Sequence, residues 1–382
     1  MPGPSTCAFV AGEASGDLLA AGVIAELRQR APELCCAGVG GDRMIAAGFD
    51  AWAHVRELSV RGYAEVLRHL PRLLKLRRTL AQRLLAEPPA VFVGVDAPDF
   101  NLGLEERLRL RGIRVVHFVS PSIWAWRSER IGQIGRAVDR MLLVFPFEQA
   151  IYDRAGIAAT YVGHPLAGMI PTVPDAAAAR ARLGMAADGA VVALLPGSRA
   201  DEVRHLGTVF LAAAELLCRR DAGLRFVLPV ADTGLRKMLL AMLAAAPGAA
   251  KRLTLVDGRS HDCLEAADAV LVASGTATLE TALYKRPMVI AYRMPRLSAW
   301  LMRRKGQIPW VGLPNILAGE LLVPELLQER ATPEALADAL WAQLNDSELR
   351  ARLERRFASM HEELRRDTAS LAAEAILEVA RR

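Results

Sequence analysis

Three segments of this sequence each place a charged side chain just after a short apolar run. They are GVDAPDFN with Asp96, AGEASGD with Glu13, and LLPGSRADEV with Arg199. A positioned carboxylate can take a proton from a hydroxyl group. An arginine can hold a diphosphate with its planar, permanently charged fork, although it could also be a solvated loop residue. The segments therefore indicate a hydroxylated acceptor at the carboxylates and a diphosphate at Arg199.

The acidic segments differ in how readily a structural role explains them. Pro98 keeps the chain after Asp96 extended, so Asp96 is not a helix cap, whereas Asp99 precedes a helix and is predicted to be its N-cap. The AGEASGD loop has no lysine and matches neither the P-loop nor the dinucleotide fingerprint. We expect its acids, Glu13 and Asp17, to face the acceptor. For Glu13, a structural acceptor in a tight turn is the equal alternative.

The segment VASGTATLE indicates a second part of the diphosphate site. Gly275 allows backbone amides to approach an anion, Thr276 and Thr278 offer hydroxyl groups, and the following helix start adds partial positive charge. Glu280, one turn into that helix, is placed to accept from a ribose diol or simply to satisfy the helix dipole. Asn315 in GLPNIL is an uncharged donor and acceptor between apolar residues, and a satisfied loop asparagine is its alternative.

The elements that carry these residues alternate between apolar runs and helical patterns. Such runs are typical of parallel strands buried on both faces, and the series predicts doubly wound α/β sheets. In the first half the runs are Cys7–Ala11, Cys35–Val39, Ala90–Val95, Arg114–Val119 and Met141–Phe145. In the second half they are Ala190–Leu195, Arg225–Val230, Leu253–Val256, Ala269–Ala273 and Met288–Tyr292.

A proline-rich break at Val162–Pro174 divides the two series. The sequence therefore predicts an N-terminal acceptor-side domain at 1–167 and a C-terminal nucleotide-binding domain at 168–345, with a ligand cleft between the carboxyl ends of their sheets. The strand-free remainder, 346–382, is predicted to form helices that return to the first domain or pack on a partner chain.

Composition limits the class of protein. The 382 residues are 52% hydrophobic and carry a net charge of +6, which fits a globular protein with anionic partners. The five cysteines include no C-x-x-C pair and are predicted to be reduced and mostly buried, as in the cytosol. We expect no signal peptide, no membrane span and no metal cluster.

Two basic stretches combine arginine and lysine with apolar residues. Val60–Leu85 has the pattern of a basic amphipathic helix, which favours contact with a membrane surface over a solvated core helix. For Arg296–Trp310 the two interpretations are equal. Nucleic acid is not expected because aliphatic rather than stacking aromatic residues lie between the charges. Other conspicuous side chains, Trp124, Trp126 and His164, are predicted to be structural.

These motifs together resemble one known family, the lipid-A-disaccharide synthases. The resemblance rests on AGEASGD, GVDAPDFN, SPSIWAWR, GHPL, LLPGSRADEV, SGTATLE and GLPNILAGELLVPELLQ, in that order from Val10 to Gln328. It implies a GT-B fold and an inverting, metal-independent glycosyltransferase. The implied reaction joins UDP-2,3-diacylglucosamine to 2,3-diacylglucosamine 1-phosphate. The implied location is the cytoplasmic face of the inner membrane of a Gram-negative bacterium.

The resemblance also assigns roles to residues. It implies that Asp96 is the general base, with Glu13 beside the acceptor. It places UDP contacts at Arg199, Glu280, Asn315 and, more weakly, Gln328. The alternatives are another UDP-N-acetylglucosamine-using transferase or epimerase, or a non-catalytic UDP-sugar-binding regulator at the membrane. A homo-oligomer is also possible.

Overall fold

The computed structural model of the chain describes residues 6–58, 63–125, 127–295 and 308–382, with the backbone alone for 63–69. Contacts between Cα atoms divide the chain into two compact units. Unit 1 comprises Met1–Gly168 and Leu364–Arg382, and unit 2 comprises Met169–Glu363. The C-terminal segment is thus shared, since its last 19 residues, 364–382, belong to unit 1.

Unit 1 is built on a seven-stranded parallel sheet with strand order β3-β2-β1-β4-β5-β6-β7. Of its central strands, β4 is apolar and buried along its whole length and β1 is buried from Cys7 onward, because helices cover both faces of the sheet. The strands are β1 Thr6–Ala11, β2 Cys35–Gly40, β3 Asp50–His54, β4 Val91–Val95, β5 Val115–Phe118, β6 Arg140–Leu143 and β7 Ala159–Tyr161.

Helices connect these strands, and one returns from the C-terminus. They are α1 Ala14–Arg30, α2 Asp42–Ala46, α3 Tyr63–Ala86, α4 Pro98–Arg109, α5 Ile131–Ala137, α6 Gln149–Arg154 and α7 Pro165–Met169. The returning C-terminal helix, Thr368–Ala380, packs against α1, where Gly22 lies close to Ala369. An ion pair between Arg140 and Glu378 ties the same helix to β6.

Unit 2 repeats the plan with a six-stranded parallel sheet of order β10-β9-β8-β11-β12-β13. Its strands are β8 Val191–Leu195, β9 Arg225–Val230, β10 Leu253–Asp257, β11 Ala269–Ala273, β12 Met288–Tyr292 and β13 Glu325–Leu327. Its helices are α8 Ala176–Arg182, α9 Ala200–Arg220, α10 Thr233–Leu243, α11 Pro247–Ala250, α12 Ser260–Ala266, α13 Thr276–Leu283, α14 Leu313–Ala318 and α15 Pro333–Asn345. Helix α16 is Ser347–Leu364 and the returning helix above is α17.

The predicted α/β class with two doubly wound parallel sheets is confirmed, and each predicted apolar run is a strand. Strands β3, β7 and β13 were not predicted, because they are short edge strands without continuous burial. Pro71 lies inside α3. The cysteines are free, and only Cys35 is exposed. Among the described residues no helix has the length and hydropathy to cross a membrane.

Candidate active site

The first candidate loops lie at the switch point of the unit 1 sheet. Strands β1 and β4 are neighbours there, and the chain winds outward from them in opposite directions. Ligands of open α/β sheets bind at such points, beyond the carboxyl ends of the strands. The loop after β1 holds Gly12 and Glu13, and the loop after β4 holds Asp96. The loops touch: a Cβ on Gly12 would lie 2.1 Å from the Cβ of Ala97, so only glycine fits.

Asp96 sits in a strained turn that the surrounding structure holds in place. Asp96 and Ala97 have φ angles of +53° and +46°, a left-handed conformation that disfavours residues with a Cβ. The Asp96 amide donates to the Phe118 carbonyl at 2.8 Å. The buried amide of Asn101 donates to the carbonyls of Asp96 at 2.8 Å and Val10 at 3.3 Å. Strain of this kind clusters at functional sites.

Asn101 was not identified as a functional residue from the sequence, although it is the last residue of the motif GVDAPDFN. The Asp96 carboxylate is half-buried, and no described residue donates a hydrogen bond to it. The turn therefore presents a fixed carboxylate with both oxygens available to a ligand.

The other acids near this switch point have different roles. Glu13 is exposed at the start of α1 and makes no capping hydrogen bond. Asp17, expected to face the acceptor, is instead buried and accepts from the amides of Gly41 at 2.7 Å, Arg43 at 3.1 Å and Met44 at 3.1 Å. It satisfies the start of α2, so that expectation is wrong.

Asp99 does not cap α4, since the N-cap position belongs to Ala97. Its exposed carboxylate instead pairs with Arg130 and, at 3.5 Å, with Arg127. Glu13 and Asp96 thus remain as the acids of the two switch-point loops that are open to a ligand.

Trp124 has the anchoring role predicted for it. Its indole donates to Glu148 at 3.1 Å and packs edge-on against Phe147. Burial raises the pKa of Glu148 to about 7, although its hydrogen bonds to Phe145 and Trp124 pull it down. His164 stacks on Phe145, and burial lowers its pKa to about 4. Trp126 lies outside the described residues.

In unit 2 the switch point lies between β8 and β11, and two more predicted loops follow these strands. The loop after β8 is fixed by Glu202, whose Oε2 accepts from the amides of Ser198 at 2.9 Å and Arg199 at 3.2 Å. Gly197 has a φ of +131° and lies against Glu202, where no Cβ would fit. The Arg199 side chain is 65% exposed with a long 3.5 Å contact to Glu202, so its fork is available to an anion.

The loop after β11 leaves a gap at the start of α13. Gly275 has a φ of +150°, and no atom of the described residues lies within 4 Å of where its Cβ would be. Thr276 is exposed beside it. Thr278, expected to offer a free hydroxyl, is buried, and its Oγ1 donates to the Gly275 carbonyl and accepts from the Leu313 amide. Burial raises the pKa of Glu280, and the charge of His261 offsets only part of this.

Asn315 is fully buried, and its amide already has protein partners. It donates to the Val323 carbonyl at 2.9 Å and to Glu325 at 2.8 Å, and it accepts from the Val323 amide at 2.9 Å. Glu325 in turn accepts from the amides of Val311 and Gly312, both at 2.9 Å. Asn315 therefore positions the segment that contacts Ser274 and Thr278.

Gln328 has a φ of +53° and its amide oxygen accepts from the Met294 amide at 3.4 Å. The stretch 296–307 of the second basic segment lies outside the described residues. The described chain contains no group of three or more His, Cys, Asp or Glu side chains that could hold a metal ion.

Sequence comparison places this geometry in context. A sequence model of the family described as "Lipid-A-disaccharide synthetase" matches residues 7–378. A protein from Paraburkholderia phytofirmans with the name lipid-A-disaccharide synthase is 54% identical over 379 residues, covering 99% of this chain and 97% of its own. One of the same name from Bordetella pertussis is 54% identical, covering 97% and 98%.

Solved structures resemble the chain in fold at low identity. A putative UDP-N-acetylglucosamine 2-epimerase from Listeria monocytogenes gives a TM-score of 0.65 at 12% identity, covering 98% of this chain and 95% of its own. The calicheamicin glycosyltransferase CalG4 gives 0.61 at 16% identity, covering 100% and 99%. MurG of Acinetobacter baumannii gives 0.60 at 14% identity, covering 98% and 99%.

Proposed function

The chain belongs to the lipid-A-disaccharide synthetase family, and we propose that it joins UDP-2,3-diacylglucosamine to 2,3-diacylglucosamine 1-phosphate. The products are UDP and a β-1,6-linked disaccharide phosphate on the route to lipid A. The observation that carries the proposal is 54% identity to synthases of this name over nearly the full length of both chains. No such relationship links the chain to the epimerase, which shares its fold at 12% identity.

The acceptor is assigned to the unit 1 switch point, where Asp96 acts as the general base. The acceptor 6-hydroxyl loses its proton to the Asp96 carboxylate while its oxygen bonds to C1 of the donor sugar. The bond from C1 to the diphosphate breaks, and UDP leaves with inversion at C1. Glu13, exposed in the adjoining loop, is placed to orient the acceptor.

UDP is assigned to the unit 2 switch point. Arg199 and the open helix start at Gly275 and Thr276 stabilise the negative charge that grows on the leaving diphosphate, without a metal ion. Glu280 accepts from the ribose diol. Asn315 and Gln328 support the site through the loop segments they bind, and direct contact of Asn315 with UDP requires it to exchange a protein hydrogen bond.

Incubation of the purified protein with donor and acceptor in detergent plus a chelator tests this function. We expect UDP and a tetraacyl disaccharide phosphate, detected by mass, in equal amounts. UDP release without disaccharide would overturn the acceptor assignment. Tight UDP binding without turnover would favour a regulator, and conversion of unacylated UDP-N-acetylglucosamine would favour an epimerase or a different transferase.

We assign the contact with the cytoplasmic face of the inner membrane to the first half of α3. Its later leucines, such as Leu80 and Leu84, are buried in the core, whereas Leu70 and Leu74 are 41% and 46% exposed. Lys75 and Arg78 are exposed close to them. This apolar and basic surface suits the interface of an anionic bilayer. Residues 60–62 of the predicted stretch lie outside the described residues.

Exchange of these leucines tests the membrane assignment. We expect the double variant Leu70→Glu/Leu74→Glu to bind phosphatidylglycerol vesicles about tenfold or more weakly than the native protein, because two apolar anchors and local positive charge are lost. Co-sedimentation measures this. Leu240→Glu, at an exposed leucine of α10 in unit 2, is the matched control. Equal binding by all three proteins would rule out this surface.

A further inference from the structure

A buried ion pair lies beneath the helix that follows the Asp96 turn. Glu105 on α4 and His117 on β5 are both 0% exposed, and Glu105 Oε1 lies 2.7 Å from His117 Nδ1. Gly94 on β4 leaves room for the pair, since a Cβ there would lie 1.9 Å from the same Oε1. The mechanism proposed above uses neither residue.

The pair lies close to the Asp96 turn. His117 is the register partner of Gly94 on β4, and Asp96 follows Gly94 by two residues, just after the end of β4. The Asp96 amide bonds to the carbonyl of Phe118, the residue after His117. Asn101, which holds the Asp96 carbonyl, is one helical turn before Glu105 on α4, so both face the same way. The Asp96 turn and the Glu105–His117 pair are therefore held by the same two elements, β5 and α4.

Three buried polar atoms in this cluster have no hydrogen-bond partner among the described residues: His117 Nε2, Glu105 Oε2 and Asn101 Oδ1. A buried polar atom left unsatisfied costs roughly 1–3 kcal/mol, so native proteins rarely keep one without a functional reason.

Backbone strain is concentrated at the same place. Of the six non-glycine residues with positive φ in the described chain, three are Asp96, Ala97 and Val119. Val119, two residues after His117, has a φ of +78°, which is a severe outlier for a β-branched residue. Such conformations persist only where the surrounding contacts impose them.

The charges around His117 favour its protonated form. Burial opposes the imidazolium, but the charge and hydrogen bond of Glu105 and the charge of Asp96 raise the pKa of His117. On its other side β6 presents the uncharged Met141 as register partner. Glu105 and Asp96 are thus the two charges acting on the ring.

We propose that His117 is a positioning residue for Asp96: held by Glu105, its imidazolium attracts the Asp96 carboxylate and keeps it aimed at the acceptor hydroxyl. This rests on the proposed role of Asp96 as base. The pair takes no proton itself.

A titration of ¹⁵N-histidine-labelled protein by NMR tests the coupling without any substrate. We expect His117 to remain protonated above the ordinary histidine range, and its pKa to fall by roughly one unit or more in Asp96→Asn. Glu105→Gln should lower the pKa of His117 by more than Asp96→Asn does. Asp99→Asn, which removes an exposed carboxylate three residues after Asp96, should leave the pKa of His117 unchanged. The same His117 titration in native and Asp96→Asn protein would overturn the proposal.

The pH dependence of turnover separates positioning from mere packing. In His117→Gln the carboxylate of Asp96 loses its cation, so the acid limb of the kcat profile should move to higher pH. The loss of kcat should become greater as the pH falls, with KM unchanged. A packing role would scale kcat equally at every pH. If His117→Gln does not fold, the isosteric Glu105→Gln carries this test.

The two measurements distinguish this inference from the proposed function. NMR coupling in a protein that forms no disaccharide would leave the His117 assignment standing and reject the reaction. Disaccharide formation together with an unchanged His117 titration in Asp96→Asn would support the reaction and reject the His117 assignment.

Discussion

The Asp96→Asn enzyme is expected to lose at least about a thousandfold in kcat while keeping its fold and its affinity for UDP. A general base contributes roughly 10²–10⁴-fold to a rate, and an amide cannot take a proton from the acceptor hydroxyl. The fold should survive because asparagine tolerates the left-handed conformation as well as aspartate does. Disaccharide formation, thermal unfolding and UDP titration calorimetry measure the three quantities.

Asp99→Asn is the matched control for this prediction. It removes a carboxylate from the same loop, but one that is exposed and paired with Arg130. Its activity should stay within a fewfold of the native enzyme. If Asp96→Asn kept near-native turnover, or if both variants lost activity equally, Asp96 would not be the base.

The Arg199→Gln enzyme is expected to lose about 10²–10³-fold in kcat, with a higher KM for the donor. Loss of one preorganised group that stabilises developing negative charge has an effect of this size. The loop itself should persist, because Glu202 holds the amides of Ser198 and Arg199 rather than relying on the guanidinium. Steady-state kinetics with varied donor and calorimetric UDP binding provide the readout.

Two further variants sharpen the Arg199 test. Arg204→Gln removes an exposed arginine of the same helix that pairs with Asp201, and it should have little effect. Arg199→Lys keeps the charge without the planar fork, so we expect intermediate activity. Native kinetics in Arg199→Gln would disprove contact with the leaving diphosphate.

The sequence was most informative for the loops that directly follow parallel strands. Because strands of a doubly wound sheet end at one edge, motifs after β1, β4, β8 and β11 had to lie at switch points once the strand order was fixed. The positions of Asp96 and Arg199 in loops at these strand ends could be predicted in this way, whereas their chemical roles stay predictions. The edge strands could not, because they are short and only partly buried.

Polar residues whose partners come from the folded backbone were harder to interpret. From the sequence, Asn315 resembled a ligand-binding residue. In the structure its side-chain amide binds Val323 and Glu325, which follow it by eight and ten residues. Asp17 resembled an acid that faces the acceptor, but in the structure it accepts a hydrogen bond from the Gly41 amide at the start of α2. The His117 pair had weak signals, a histidine inside the apolar run VVHF and a glycine inside the strand VFVGV.

The left-handed turn at Asp96 and Ala97 links stability to chemistry in unit 1. A residue with a Cβ in this conformation costs roughly 1–2 kcal/mol, an appreciable share of the 5–15 kcal/mol by which a domain is stable. Substitutions that relax the turn at position 96, such as glycine, release that free energy but remove the carboxylate. With Asp96 as the proposed base, heat resistance and catalytic rate compete at this one position, and selection for either alone would move the protein away from the other.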